Sequence, residues 1–198
     1  MGKVNDDHLK RMNPTGINWA DMTEQQKIEL KEKWDAVVSI PKNLNCTCPL
    51  TGCRNNRNCR YCIALHRYYD CLTNCFRNIV EEMEAGVPQE HRFDQHTKMQ
   101  SSGAEFEFVE LTDDPDESRA RLQQASTPET MRKTLAIWDA VVREPENTAC
   151  TCTETGCWYH GNCVKCAALH RYYKGFPHCV RYLADEIEAA VSLYKMSY

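Results

Sequence analysis

Cys59-Arg60-Tyr61-Cys62-Ile63-Ala64-Leu65-His66-Arg67-Tyr68-Tyr69 returns 104 positions later as Cys163-Val164-Lys165-Cys166-Ala167-Ala168-Leu169-His170-Arg171-Tyr172-Tyr173. At about 100° per residue on a helix, Cys59, Cys62 and His66 project within roughly 60° of one another. The spacing therefore predicts a helix over roughly 59–70, and another over 163–174, each with three metal-ligand side chains along one face. Everything else in the chain is read outward from these two segments.

The duplication extends well beyond them. Thr23–Val87 aligns with Thr127–Val191 without a gap, and 29 of the 65 pairs are identical. That much gapless identity predicts one fold made twice. Each copy should open with a helix, capped by Thr23 or Thr127, with Pro128 in the first turn, where proline is tolerated. Leu30, Trp34, Val37 and Val38 share one face, as do Met131, Leu135, Trp138, Val141 and Val142. Trp34 and Trp138 should both be largely buried. Pro41 and Pro145 should end these helices. A closing helix is expected with Phe76, Ile79, Val80 and Met83 inward in the first copy, and Val180, Leu183, Ala184, Ile187 and Val191 in the second.

The expected fold is mostly α: two pseudo-symmetric small helical Cys/His metal-binding modules joined by an extended linker. The divisions are an N-terminal extension over 1–22, a first module over 23–90, a linker over 91–126 and a second module over 127–198. Glu105-Phe106-Glu107-Phe108-Val109 alternates like a short strand, and Asp113–Ser126 reads as a charged helix, in a linker that has no counterpart within the repeat.

Thirteen cysteines in 198 residues set the chemistry. The stretch from Met1 to Asp7 lacks the apolar core of an export signal, and no run approaches the length of a membrane helix. A cytoplasmic, reducing setting is therefore expected, where cysteines serve as metal ligands rather than disulfides. The mean hydropathy of −0.63 suits a soluble chain with a modest core. A net charge of −4 and a pI near 6.0 disfavour nucleic acid and acidic membranes as partners. Arg54, Arg57, Arg60 and Arg67 make the first site locally basic, but thiolates would cancel much of that charge.

The candidate ligands are Cys46, Cys48, Cys53, Cys59, Cys62, His66 and Cys75 in the first copy. Cys150, Cys152, Cys157, Cys163, Cys166, His170 and Cys179 repeat them at the same spacing. Gly52 and Gly156 should permit the tight turn before Cys53 and Cys157. Seven donors with one bridging thiolate would hold two zinc ions, and four would hold one. A [4Fe–4S] cluster on four cysteines is the alternative, with the repeated histidine favouring zinc. Cys71 aligns with Gly175 and reads as a small core thiol outside the site. Arg67, Arg171 and the Tyr-Tyr pairs could form a recognition surface, but the preferred reading makes the arginines offsets to thiolate charge and one tyrosine of each pair core. There is no acid/base pair, nucleophile elbow or phosphate loop, so an enzyme is not indicated.

Asn45-Cys46-Thr47-Cys48, Gly52-Cys53, Cys59-x2-Cys62 and His66-Arg67 resemble an uncharacterised family, the domain of unknown function 6485. So do Cys150-Thr151-Cys152 through His170-Arg171 and Phe176-Pro177-x-Cys179. The resemblance spans about 30 residues in each copy. It implies a short, cysteine-rich cytosolic protein of anaerobic bacteria and archaea, which sustains the iron–sulfur alternative, and it brings no activity. Thr73 stands where Pro177 stands in the second copy, and two copies in one chain is a further departure. The expected function is a non-catalytic tandem metalloprotein whose metal organises each module to bind a protein partner or ligand. The alternatives are an iron–sulfur electron carrier, the small subunit of an anaerobic oxidoreductase, or a thiol-based metal or redox sensor. The two copies could also pair as an intramolecular pseudo-dimer.

Overall fold

A computed structural model of the chain describes residues 10–15, 17, 19–48, 53–88, 92 and 128–197. Thr127, Gly52 and the linker features expected at 105–109 and 113–126 lie outside the described residues. Among the described residues the regular structure is all helical, and no helix is long and apolar enough to cross a membrane.

Four helices form the first half: α1 (Glu24–Ser39), α2 (Pro41–Leu44), α3 (Cys59–Tyr68) and α4 (Arg77–Met83). The second half has α5 (Pro128–Arg143), α6 (Pro145–Thr148), α7 (Cys163–Tyr172) and α8 (Arg181–Ser197). Short 3₁₀ turns at Asn74–Phe76 and His178–Val180 lead into α4 and α8. Each start, and each end but that of α8, falls 104 positions after its first-half equivalent.

Local chemistry accounts for these boundaries. Thr23 caps α1 through a reciprocal box, its hydroxyl accepting from the Gln26 amide at 3.3 Å while Gln26 Oε1 accepts from the Thr23 amide at 2.9 Å. Asn58 and Asn162 cap α3 and α7 through their side-chain oxygens. Pro41 and Pro145 do more than stop the preceding helix, since each begins a short helix where its missing N–H costs nothing. Asn43 and Asn147 then turn back, donating to the carbonyls of Val37 and Val141 at 2.8 and 2.9 Å. The cysteine-bearing helices stop at left-handed residues, Asp70 (φ 49°) and Lys174 (φ 55°). The next amides, of Cys71 and Gly175, reach back to the carbonyls of His66 and His170 at 2.9 Å, closing the left-handed cap.

The halves are interlocked rather than side by side. Helix α1 packs on α7 and α5 packs on α3, so each cysteine-bearing helix covers the first helix of the other half. Leu30, Trp34, Val37 and Val38 accordingly share a cluster with Tyr159 and Leu169, while Val141 and Val142 share one with Leu65 and Tyr69. The largest cluster joins Phe76, Ile79 and Val80 to Phe176, Leu183 and Ile187, with the two phenylalanine rings 5.6 Å apart. The closing-helix stripes expected from sequence are buried, except Met83, which is half-buried.

The two tryptophans differ. Trp34 is buried, roofed by Met12, whose carbonyl accepts its indole N–H at 2.9 Å, and by Trp158 and Tyr159. Trp138 is only half-buried. Arg54 and Asn55 stand at the positions matching Trp158 and Tyr159, and Arg54 pairs with Asp139 at 2.8 Å rather than roofing the indole.

The expected turn does close around Gly156, where the Cys157 amide donates to the Glu154 carbonyl at 3.1 Å, but it needs no left-handed φ. The left-handed positions are Arg57 (φ 66°) and its match Gly161 (φ 76°), just before α3 and α7. A Cβ at Gly161 would meet nothing within 4 Å, so any cost there is conformational. Gly161→Ala should therefore lower stability by about 1 kcal/mol, and Arg57→Gly should raise it by up to about the same amount. Urea midpoints of the two variants would check the opposite signs.

Candidate metal centre

Four segments bring each thiol set together. The extended segment after α2 carries Cys46 and Cys48, and the turn at 53–57 carries Cys53. The first turn of α3 carries Cys59 and Cys62, and the 3₁₀ turn before α4 carries Cys75. The second set is built alike, from Cys150, Cys152, Cys157, Cys163, Cys166 and Cys179. None of the thirteen cysteines is in a disulfide, and all but Cys71 are half-buried.

Within each set the sulfurs feel one another. Burial pushes the Cys62 thiol well up, and charge on Cys75, Cys53, Cys59 or Cys46 would push it further. Cys166 is raised by burial in the same way, then by Cys179, Cys157, Cys163 and Cys152. Burial raises Cys59 and Cys179 from the ordinary 9.0 to about 11. Cys75, Cys152, Cys157 and Cys163 are also raised, in each case mainly by burial. The Cys75 sulfur lies 3.0 Å from the Thr73 hydroxyl, and Cys48 accepts from Asn74 Nδ2 at 3.5 Å. That contact places Cys48 beside the turn that carries Cys75.

A cavity of about 30 Å³ lies in the second set, bounded by Cys150, Cys152, Cys163, Cys166 and Cys179. It is far below the size of an organic ligand pocket and on the scale of an ion or a water. Arg60, Ile63, Ala64 and Arg67 from the first half line it as well, along with Tyr159 and Pro177. A second, open cleft of about 810 Å³ runs between the starts of α3 and α7, with Cys59 and Cys163 in its lining. Among the described residues, however, no three Cys, His, Asp or Glu side chains close on one point as ligands do. The donor chemistry, thiols with a nearby imidazole, would suit a soft metal. A metal–thiolate bond of about 2.3 Å is what would draw them in.

The two histidines were expected to join these sets. The His66 Nδ1 lies 3.1 Å from the sulfur of Cys71, which is 2% exposed in the cluster with Leu65 and Tyr69. The left-handed stop at Asp70 makes this contact, folding the chain back so that residue 71 meets residue 66. Helical spacing describes only residues inside the helix and is blind to such a return. His170 has glycine at the position that corresponds to Cys71.

Arginines bind across the halves. Arg67 on α3 donates to the Asn147 carbonyl at 2.5 Å, the Thr151 hydroxyl at 3.1 Å and the Ala149 carbonyl at 3.4 Å. Arg171 on α7 donates to the carbonyls of Asn43 and Asn45 and to the Thr47 hydroxyl. Arg60 adds a bond to the Thr148 carbonyl at 3.1 Å. Compared with protein-family models, curated proteins and solved structures, the chain finds no match.

The raised thiols give the metal-free chain a pH signature. The fold favours the protonated form, so this contribution is intact below the ordinary pKa of 9.0 and is lost as pH rises through about 11. Metal-free, fully reduced protein should lose denaturant resistance between pH 9 and 11. Cys59→Ser and Cys179→Ser should each flatten that slope, and a slope unchanged in both variants would refute the assignment.

Proposed function

We propose that this chain is a non-catalytic tandem metal-binding protein, in which each half contributes one thiolate centre that staples the interlocked helices. The observation that carries this reading is the ion-sized cavity walled by five cysteines drawn from the Cys-x-Cys segment, α7 and the last turn before α8. Zinc suits such a donor set, since it takes four thiolates and has no redox demand of its own. Cys150, Cys152, Cys163, Cys166 and Cys179 would supply its ligands, and Cys46, Cys48, Cys59, Cys62 and Cys75 are their counterparts. Cys53 and Cys157 are further donors within the same sets. The role of the metal is structural. Matched exposed tyrosines, Tyr68 and Tyr172, are 56% and 55% exposed and offer a surface that a protein partner could read. Thirteen cysteines outside any disulfide suit a reducing compartment such as the cytoplasm.

An iron–sulfur cluster is the second reading, and one contact favours it. With the His66 Nδ1 engaged by Cys71, six of the seven donors in the first set are sulfur, which is what such a cluster uses. Protein purified without oxygen separates the two: colourless protein carrying zinc supports the first reading, and brown protein carrying iron and sulfide supports the second. Neither metal, with the thiols paired as disulfides, would overturn both.

Ligand and bystander separate within one half. Cys62→Ser should remove metal from the first centre, lowering metal per chain by about half, and should loosen the fold because binding energy is also folding energy. Cys71→Ser should leave metal content unchanged and cost about 1 kcal/mol in stability. Equal metal loss in the two variants would place Cys71 among the ligands.

A further inference from the structure

We infer that Arg67 and Arg171 act in trans as positioning residues, each setting the Cys-x-Cys segment of the opposite half so that neither centre is complete without the other half. This inference rests on the metal-binding reading above and says where each centre gets its geometry.

The argument starts from what the segments lack. Residues 46–48 and 150–152 are neither helix nor strand, so no backbone ladder fixes the sulfurs they carry. What holds them is a guanidinium. The Arg67 fork reaches residues 147, 149 and 151, alternate positions that flank Cys150 and immediately precede Cys152. The Arg171 fork reaches 43, 45 and 47, which bracket Cys46 and Cys48 in the same way. Only a planar group with five donors can hold three acceptors along one strand of chain. Lysine, with a single nitrogen, cannot reproduce the fork.

The two arginines also stand beside the sulfurs. Arg67 lines the cavity bounded by the second thiol set, and the positive charge of Arg171 acts on Cys75 in the first. Four thiolates on a divalent ion leave a net charge of −2, and half-buried anionic charge needs a fixed cation nearby. Each arginine follows the histidine of its own helix, yet its bonds are spent on the other half. The consequence is crossed dependence: losing the arginine of one half should damage the centre of the other.

The test reads each half separately in the full chain. The protein is reduced, equilibrated with Zn²⁺ buffered near half-saturation and treated with iodoacetamide, and alkylation of every cysteine is followed by peptide mass spectrometry, with a zinc-free control. In Arg67→Gln, zinc protection of Cys150, Cys152, Cys163, Cys166 and Cys179 should fall by about tenfold or more, while Cys46 to Cys75 keep theirs. Arg171→Gln should give the mirror result. Arg67→Lys should restore part of the protection, because charge returns without the fork. It also serves in place of the glutamine variant should that one fail to fold. Co²⁺ added alone to the same variants should show a weakened thiolate-to-metal absorption for one centre of two.

Loss of protection in the same half as the substitution would overturn the inference. So would equal loss in both halves, which a general interface role would produce, or no loss at all. Unsubstituted protein that shows no zinc protection would bring down the metal-binding reading, a failure visible before any arginine is changed.

Discussion

Each first helix hides its apolar face under the cysteine-bearing helix of the other half, and the rest of the molecule is arranged around that exchange. A half of about 65 residues could bury little core by itself. Crossing the helices lets Leu169 lie with Trp34 and Val38, and Leu65 lie with Val141 and Val142. The closing helices then meet between the halves, where Phe76, Phe176, Leu183 and Ile187 are fully shielded. Separating the halves would bare both faces of α3 and α7 at once, so the fold behaves as one cooperative body even though its chain reads as two.

The same crossing decides where the sulfurs can sit. Cys59, Cys62, Cys163 and Cys166 lie in the first turns of helices whose other faces are occupied by hydrophobic packing. Their thiols are therefore held at the edge of the core, half-buried, and burial keeps them protonated. A metal taken up there would have to displace protons, which would tie loading to pH and to the state of the fold. The arginines that bridge the halves fall where a cation would offset the charge that loading creates. Packing, proton affinity and charge balance thus converge on the same few positions.

Much of this was legible in the sequence, and the part that was not has a common cause. Period 3.6 placed the helices and the face of Cys59 and Cys62, and the 104-residue shift placed every second-half boundary but the end of α8 from its first-half partner. Periodicity cannot say which copy covers which. Two copies have equivalent faces, so an α1 that packs on its own α3 and one that packs on α7 leave the same pattern of apolar residues. The His66–Cys71 contact was hidden for another reason, since it depends on the left-handed Asp70 that folds the chain back after the helix ends. The turn read at Gly156 forms, but the left-handed position just before each cysteine-bearing helix was not marked by glycine in both copies, since Arg57 stands where Gly161 stands.

Where the halves differ is informative about which parts are constrained. The six cysteines, the arginine and the asparagine caps occupy matching positions in both. The covers of the first helices do not. Tyr159 donates its phenol to Asp35 at 2.6 Å and stacks on Trp34, whereas Arg54 answers Asp139 with an exposed ion pair. An exposed pair of that kind contributes little, while a buried aromatic contributes both area and ring contact. Helix α1 is thus the more firmly seated of the two, and α5 depends more on α3 beneath it. The asymmetry sits on the outer layer and leaves both thiol sets with the same spacing. That is the pattern expected if the inner layer must satisfy sulfur, arginine and helix at once, while the outer layer need only exclude water.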